Sequence, residues 1–264
     1  MTNGEMPAID VIAYATAEGK TTISQAIEDC CRAKGRDPTV VRIESGSIAG
    51  ASRTGEVLIP TERILEAVDI DGGAFGALDP LWDAAESCAL RREPLIMDWA
   101  GGQSNLHSEF LHASKLEGLL SGKGFTTYSL VVTTSRASSM IHAAEACDLI
   151  AKVAPGFRRI LALNAKDGPF DSFASGSPEA KAYEALAPEA QKWAGRLLIP
   201  RIEGNAWQVF HAAGLSFLDA LGRPVNELAK LTGRSPMVVN ICRSLLAAWW
   251  SEVEPQIVKV LPVR

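Results

Sequence analysis

The sequence predicts an α/β fold, a mostly parallel sheet with helices on both faces. Two patterns predict it. Short, continuously apolar runs recur along the chain, and most are followed by a segment with helical spacing. Strands buried on both faces show no apolar–polar alternation, because neither side meets water, and such runs mark a parallel sheet. Size is the third observation. A chain of 264 residues with 47% hydrophobic content suits one domain over residues 1–264, with a helical C-terminal segment from about 222 to 264.

Ile9–Tyr14 is the first apolar run, and Thr21–Lys34 is the helix after it. Gly35-Arg36-Asp37-Pro38 is a turn, since glycine and proline together stop a helix. Thr39–Ile43 is rich in β-branched residues, reads as a strand and ends at Glu44. A polar, glycine-containing stretch continues to about Thr54. Pro60–Val68 is then expected as a helix, broken by Asp71-Gly72-Gly73, and Leu78–Leu90 as another. Pro94–Met97 is a buried strand closed by Asp98, and Ser108–Ser121 is helical. Tyr128–Thr133 is a strand and Ser138–Val153 a helix. Arg159–Leu163 is a strand ending at Asn164. Pro178–Gly195 is mostly helical, and Leu197–Ile199 is a short strand closed by Pro200. Helices fill the remainder, with Thr232–Trp250 a late one whose Trp249-Trp250 pair reads as core or dimer packing. No internal repeat or low-complexity tract interrupts this order.

The junction of the first strand and first helix carries Gly19-Lys20-Thr21. At that place a glycine lets the backbone approach a phosphate, a lysine reaches the β- and γ-phosphates, and a threonine hydroxyl ligates Mg²⁺ at a helix N-terminus. The complete pattern has a further glycine five residues earlier, where this chain has Tyr14, and Ala15-Thr16-Ala17-Glu18 between them holds none. Half of a phosphate loop stands in the right place. Glu18, Gly19, Lys20, Thr21 and Thr22 are the candidate nucleotide contacts, and Glu18 either brings negative charge towards the polyphosphate or points outwards.

In an open parallel sheet, ligands sit beyond the carboxyl ends of the strands. That rule picks out Glu44, Asp98, Thr133-Thr134-Ser135, Asn164 and Pro200 beside the half loop. Each has two readings. Lys20 and Thr21 hold phosphate and metal, or merely start a helix. Asp98 is a Mg²⁺-side carboxylate, or one stabilised by the next helix dipole. Glu44 positions water or is a solvated strand end, and Asn164 reads adenine or caps a turn. His107, His112, His142 and His211 show no metal-ligand spacing and read as surface or core residues.

Taken together, the ordered motifs resemble the ParA/MinD group of P-loop ATPases, and within it the conjugation- and mobilisation-associated (TraL-like) variants. The residues that carry the resemblance are EGKTT after the first strand, PLIMDWAGG, SLVVTTSRASSMIHAAE, LALNAKDGPF and LLIPRI, over roughly residues 8 to 221. The resemblance implies a P-loop NTPase fold, ATP and Mg²⁺ as cofactors, and Lys20 and Glu44 as catalytic residues. It implies nucleotide contacts from Glu18, Gly19, Lys20, Thr21, Thr22, Asn164 and Pro200, and metal contacts from Thr21 and Asp98. It also implies a homodimer acting on a partner in plasmid maintenance or transfer. Two departures stand out. The family's signature lysine position is Ala15 and its glycines are Thr16 and Ala17, while the carboxylate after the second strand is Glu44 rather than an aspartate. Losing a transition-state cation weakens phosphoryl transfer, so weak or absent hydrolysis is expected.

Composition excludes other classes. A formal net charge of −5 argues against nonspecific coating of nucleic acid. DNA contact would need a local patch, either Arg32, Lys34 and Arg36 or Lys230, Arg234 and Arg243. Five cysteines without metal-ligand spacing point to a reducing, cytoplasmic setting. The N-terminus lacks a basic region followed by an apolar run, and no apolar stretch is long enough to span a membrane. Three function classes remain: a nucleotide-dependent switch, a nucleotide-independent scaffold on the same fold, and a small-molecule kinase or ligase. No second cluster of Arg, His or Lys for a small acidic substrate supports the last.

Overall fold

The computed structural model describes residues 5–13, 15–44, 55–67, 71–186 and 193–263. Tyr14 and the polar stretch 45–54 therefore lie outside the described residues. Seven parallel strands form one sheet among the described residues: β1 (Met6–Ala13), β2 (Thr39–Glu44), β3 (Val57–Pro60), β4 (Leu95–Trp99), β5 (Phe125–Thr134), β6 (Arg158–Asn164) and β7 (Gly195–Ile199). Their order is β3-β2-β4-β1-β5-β6-β7, with every pairing parallel. β1 is central; β2 and β3 build outwards on one side, β4 returns to fill the place between β2 and β1, and the chain then crosses to the other side. That reversal makes a crevice at the carboxyl ends of the middle strands.

The helices are α1 (Lys20–Ala33), α2 (Thr61–Leu65), α3 (Asp79–Arg91), α4 (Ser104–Ser114), α5 (Leu116–Gly122), α6 (Ala137–Val153), α7 (Pro178–Glu184), α8 (Ala206–His211), α9 (Phe217–Gly222), α10 (Val225–Thr232) and α11 (Pro236–Val260). They cover both faces of the sheet. On one face Ala8, Ile12, Met97, Trp99 and Val131 pack with Leu81, Phe110, Leu120 and Met140. On the other, Ile9, Val11, Ile96, Leu130 and Ile160 pack with Ile23 and Ile27 of α1 and with the C-terminal helices. Alternate residues of one strand thus feed opposite cores, which is why the runs read as continuously apolar.

The C-terminal face holds an aromatic stack. Trp207 and Phe217 lie with ring centroids 3.8 Å apart, and Phe217 stacks on Trp249 at 5.1 Å and Trp250 at 5.4 Å. Trp249 and Trp250 are core residues. All five cysteines are buried thiols outside any disulfide, including Cys30 and Cys31 within α1. Burial pushes the Cys30 thiol up beyond the ordinary range and Cys31 up to about 12, so both are packing groups rather than nucleophiles.

Three element expectations are corrected. The helix expected over Pro60–Val68 is preceded by a strand, β3, and shortens to α2. Ile59 is in register with Ile43 of β2, and the edge position tolerates Pro60, which has no N–H to donate. The single helix over Ser108–Ser121 is two, broken at Lys115 with φ +52°. There the Ser114 hydroxyl donates to the Phe110 carbonyl at 2.6 Å and competes with the helix ladder. The late helix begins at Pro236, behind a Ser235 cap on the Val238 N–H, because Gly233 at φ +65° ends α10.

Candidate functional site

Residues 15–19 lead from β1 into α1, with Ala17 at φ +60° and Gly19 at φ +89°. A side chain at Gly19 would overlap the Asn164 amide, so backbone conformation and neighbour both demand glycine. Asn164, at the end of β6, braces the loop. Its Nδ2 donates to the Glu18 carbonyl at 2.8 Å, and its Oδ1 accepts the Lys166 N–H at 3.3 Å. From the other side Gly101, in the turn after β4, lies so close that a Cβ there would overlap the Ala15 and Thr16 backbone.

The loop also engages itself. The Glu18 side chain is buried and turned inwards, accepting the Ala15 N–H at 3.3 Å. Lys20, also buried, donates from Nζ to the Ala15 carbonyl at 3.2 Å. α1 starts behind Gly19 without a side-chain cap and without an acidic residue in its first turn. Its first N–H groups keep their hydrogen-bonding capacity and the positive end of the helix dipole beside Lys20, Thr21 and Thr22.

Asp98 closes the floor of the site. It faces α1 from β4, 2% exposed, in register with Arg42 of β2. Arg42 Nε stands at 3.8 Å and Ser24 leans towards it, yet neither carboxylate oxygen closes a hydrogen bond. Burial lifts its pKa to about 6, with Arg42 and Lys20 opposing the rise and Glu44 adding to it. Burial likewise holds the Lys20 ammonium below its usual range, against the pull of Asp98, Glu18 and Glu44. A buried carboxylate with two unfilled oxygens opposite a threonine at a helix start is a donor set that suits a hard divalent cation. Among the described residues no cluster of three or more His, Cys, Asp or Glu could hold a metal unaided. A metal here would share its coordination with phosphate and water.

These groups line a cavity of about 410 Å³, which holds Thr16, Gly19, Lys20, Thr21, Thr22, Glu44, Asp98 and Lys166 on its wall. A second cavity of about 360 Å³ adjoins it, lined by Asn164, Pro200, Arg201, Ile202, Trp207 and Trp249 among others. Gly19, Thr22 and Lys166 belong to both. The turn carrying Pro200 is fixed by Trp249, whose Nε1 donates to the Pro200 carbonyl at 2.8 Å. Of the sequence candidates, Gly19, Lys20, Thr21, Thr22, Glu44 and Asp98 meet in the first cavity and Asn164 and Pro200 in the second, while Glu18 lies within the loop.

Sequence reasoning missed Lys166, though it stands two residues past a strand end that the edge rule had already singled out. It also missed a buried network on the opposite face. His107 Nε2 lies 2.9 Å from Asp10 Oδ2, and the Ser129 hydroxyl donates to the same oxygen at 2.7 Å. Asp10 and Ser129 are register partners on β1 and β5, so their side chains meet on one face. A lone aspartate inside an apolar strand was the available signal. The first candidate basic patch is neutralised: Arg32 pairs with Glu28 at 3.0 Å, Lys34 with Glu254 at 3.3 Å and Arg36 with Glu93 at 3.0 Å. No helix among the described residues is long and apolar enough to cross a membrane.

No family model and no curated protein sequence matches this chain. Among solved structures it is similar to a ParA family ATPase of Chlorobium tepidum TLS, with 13% identity and a TM-score of 0.51 over 95% of this chain and 99% of that one. The cell division ATPase MinD of Pyrococcus furiosus gives 15% identity and a TM-score of 0.48, over 92% and 99%. At such identities the likeness is one of fold. The seven-stranded parallel sheet with helices on both faces is an α/β architecture shared with the ParA family ATPase.

Proposed function

We propose that this protein is a ParA-like nucleotide-binding switch that takes Mg-ATP across the two adjoining cavities. The observation that carries the reading is the shared wall. The uncapped start of α1, Lys20, Thr21 and Asp98 open on one cavity, and the second continues past Gly19 and Thr22 towards Asn164 and Pro200. The polyphosphate lies over the helix start, with Lys20 and the first-turn N–H groups as donors. Thr21 and Asp98 hold the metal, and bound Mg²⁺ supplies charge that offsets the polyphosphate. The base lies between the Pro200–Ile202 turn and Trp207. Asn164 acts as a brace for the loop, since both ends of its amide are engaged.

Calorimetric titration tests this. Lys20→Ala removes one charge-assisted contact, roughly 1.5–3 kcal/mol, and should weaken Mg-ATP binding about ten- to a hundred-fold. Absence of binding to the unaltered protein at millimolar Mg-ATP or Mg-ADP would refute the switch. The self-engaged loop, with Glu18 on the Ala15 N–H, is the observation that favours the alternative, a nucleotide-independent scaffold. A thermal-shift series with Mg-ATP and Mg-ADP separates the two.

Hydrolysis is slow in this reading, because Ala15 offers no cation to the transition state. Turnover should fall well below about 1 s⁻¹, the low end of ordinary enzymes. Glu44 sits at the end of β2 on the cavity wall, where it positions water. A faster rate, unchanged in Glu44→Ala, contradicts both statements. We assign the biological setting by resemblance: a cytoplasmic homodimer acting on a protein partner in plasmid maintenance or conjugative transfer, with the phosphate-loop face as the contact surface. Light scattering with and without Mg-ATP tests the dimer, and a chain that stays monomeric in both excludes it.

A further inference from the structure

We propose that Lys166 is a second phosphate-gripping cation, one that leaves its resting ion pair when nucleotide enters. The proposal rests on the nucleotide reading above and names a residue that reading does not require. Lys166 sits in the 3₁₀ turn Ala165–Asp167 directly after β6. Its backbone N–H donates to Asn164 Oδ1, and the same amide donates to the Glu18 carbonyl. One side chain therefore ties the lysine's backbone to the phosphate loop and holds the two in fixed relation.

The side chain stands at the junction. It lines both cavities, a third exposed, beside Gly19 and Thr22. In the resting structure its Nζ lies 2.8 Å from Asp167 Oδ1. Asp167 is held independently through its other oxygen, Oδ2, by Arg136 Nε at 2.9 Å. Lys166 can therefore turn into the cavity without leaving Asp167 unpaired. A partly exposed ion pair of this kind is weak, whereas a lysine–phosphate contact in a cavity is charge-assisted on both sides.

Charge balance calls for such a group. The ionisable residues on the wall of the phosphate cavity are Lys20, Lys166, Glu44 and Asp98, two cations against two carboxylates. Lys20 is already shared between the Ala15 carbonyl and the field of Asp98. A polyphosphate entering there adds several negative charges, and Lys166 has the other cationic side chain on that wall.

The test compares ATP with AMP on the full chain, using titration for ATP and competition against ATP for AMP. Lys166→Ala should weaken Mg-ATP about tenfold, the effect of one charge-assisted contact, and leave AMP within about twofold. Lys166→Arg should keep most of the ATP affinity. Asp167→Asn, which loosens the resting tether, should leave ATP binding equal or tighter. Thermal midpoints in the same samples report folding. Equal losses for ATP and AMP would make Lys166 a wall of the base cavity and overturn the proposal, as would an unchanged ATP affinity. Failure of the unaltered protein to bind either nucleotide would remove the nucleotide reading itself and this proposal with it, a different result from normal binding that ignores Lys166.

Discussion

Replacing His107 by alanine should destabilise the protein by about 3–5 kcal/mol, since it strips a buried carboxyl group of a hydrogen-bond partner and leaves a cavity where an aromatic ring packed. Asp10 is fully buried in the centre of β1, and His107 is 2% exposed. Without the imidazole, the carboxylate keeps only the Ser129 hydroxyl. The substitution also removes a packing surface, since the Trp99 ring meets the imidazole edge-on with centroids 4.8 Å apart. Ser129→Ala removes a single neutral donor and should cost less, about 1–3 kcal/mol. Urea unfolding of the two variants beside the parent measures both. A loss below about 1 kcal/mol for His107→Ala would mean that the pair does not anchor α4. The consequence reaches the site, because α4 follows the turn whose Gly101 abuts the Ala15–Thr16 backbone.

Asp98→Asn should raise stability at neutral pH while weakening Mg²⁺-dependent nucleotide binding. The folded pKa of Asp98, about 6, lies above the ordinary 3.8, so folding disfavours the charged form. Below about pH 4 the carboxyl is protonated folded and unfolded, and no penalty exists. Between about 4 and 6 the unfolded chain ionises first and the penalty grows; above 6 it is complete. At about 1.4 kcal/mol per unit, it is at most about 3 kcal/mol. Asparagine keeps the shape and removes the charge, and Arg42 retains Glu56 at 2.9 Å. Thermal unfolding from pH 4 to 8 should show the variant's advantage rising through that window and flattening above it. A variant less stable than its parent at pH 7 would contradict the assignment of Asp98 as a strained, ligand-poised carboxylate. Magnesium dependence of nucleotide affinity should fall with it, and in the parent should weaken as pH drops through about 6.

Much of this molecule follows from the sequence alone, for a local reason. Strand runs such as Leu95-Ile96-Met97 are apolar on both faces, and helices such as α1 and α6 keep helical spacing, so each element announces itself within its own residues. Parallel strands also gather their carboxyl ends on one edge, which is why Gly19, Lys20, Thr21, Glu44 and Asp98 could be expected together from their places in the sequence. β3 was illegible, being four residues long at a sheet edge and defined by its pairing with β2. The break at Lys115 was hidden because Leu111 before it and Leu116 after it both feed the same core. Only the tertiary structure decided what depends on distant partners: that Glu18 turns into its own loop, that Asn164 braces that loop across 146 residues of chain, and that Lys166 stands between the two cavities. It also decided that Asp10, His107 and Ser129 form one buried network. Side-chain direction and partner choice at these positions are set by contacts between elements far apart in sequence, and no window of neighbouring residues contains them.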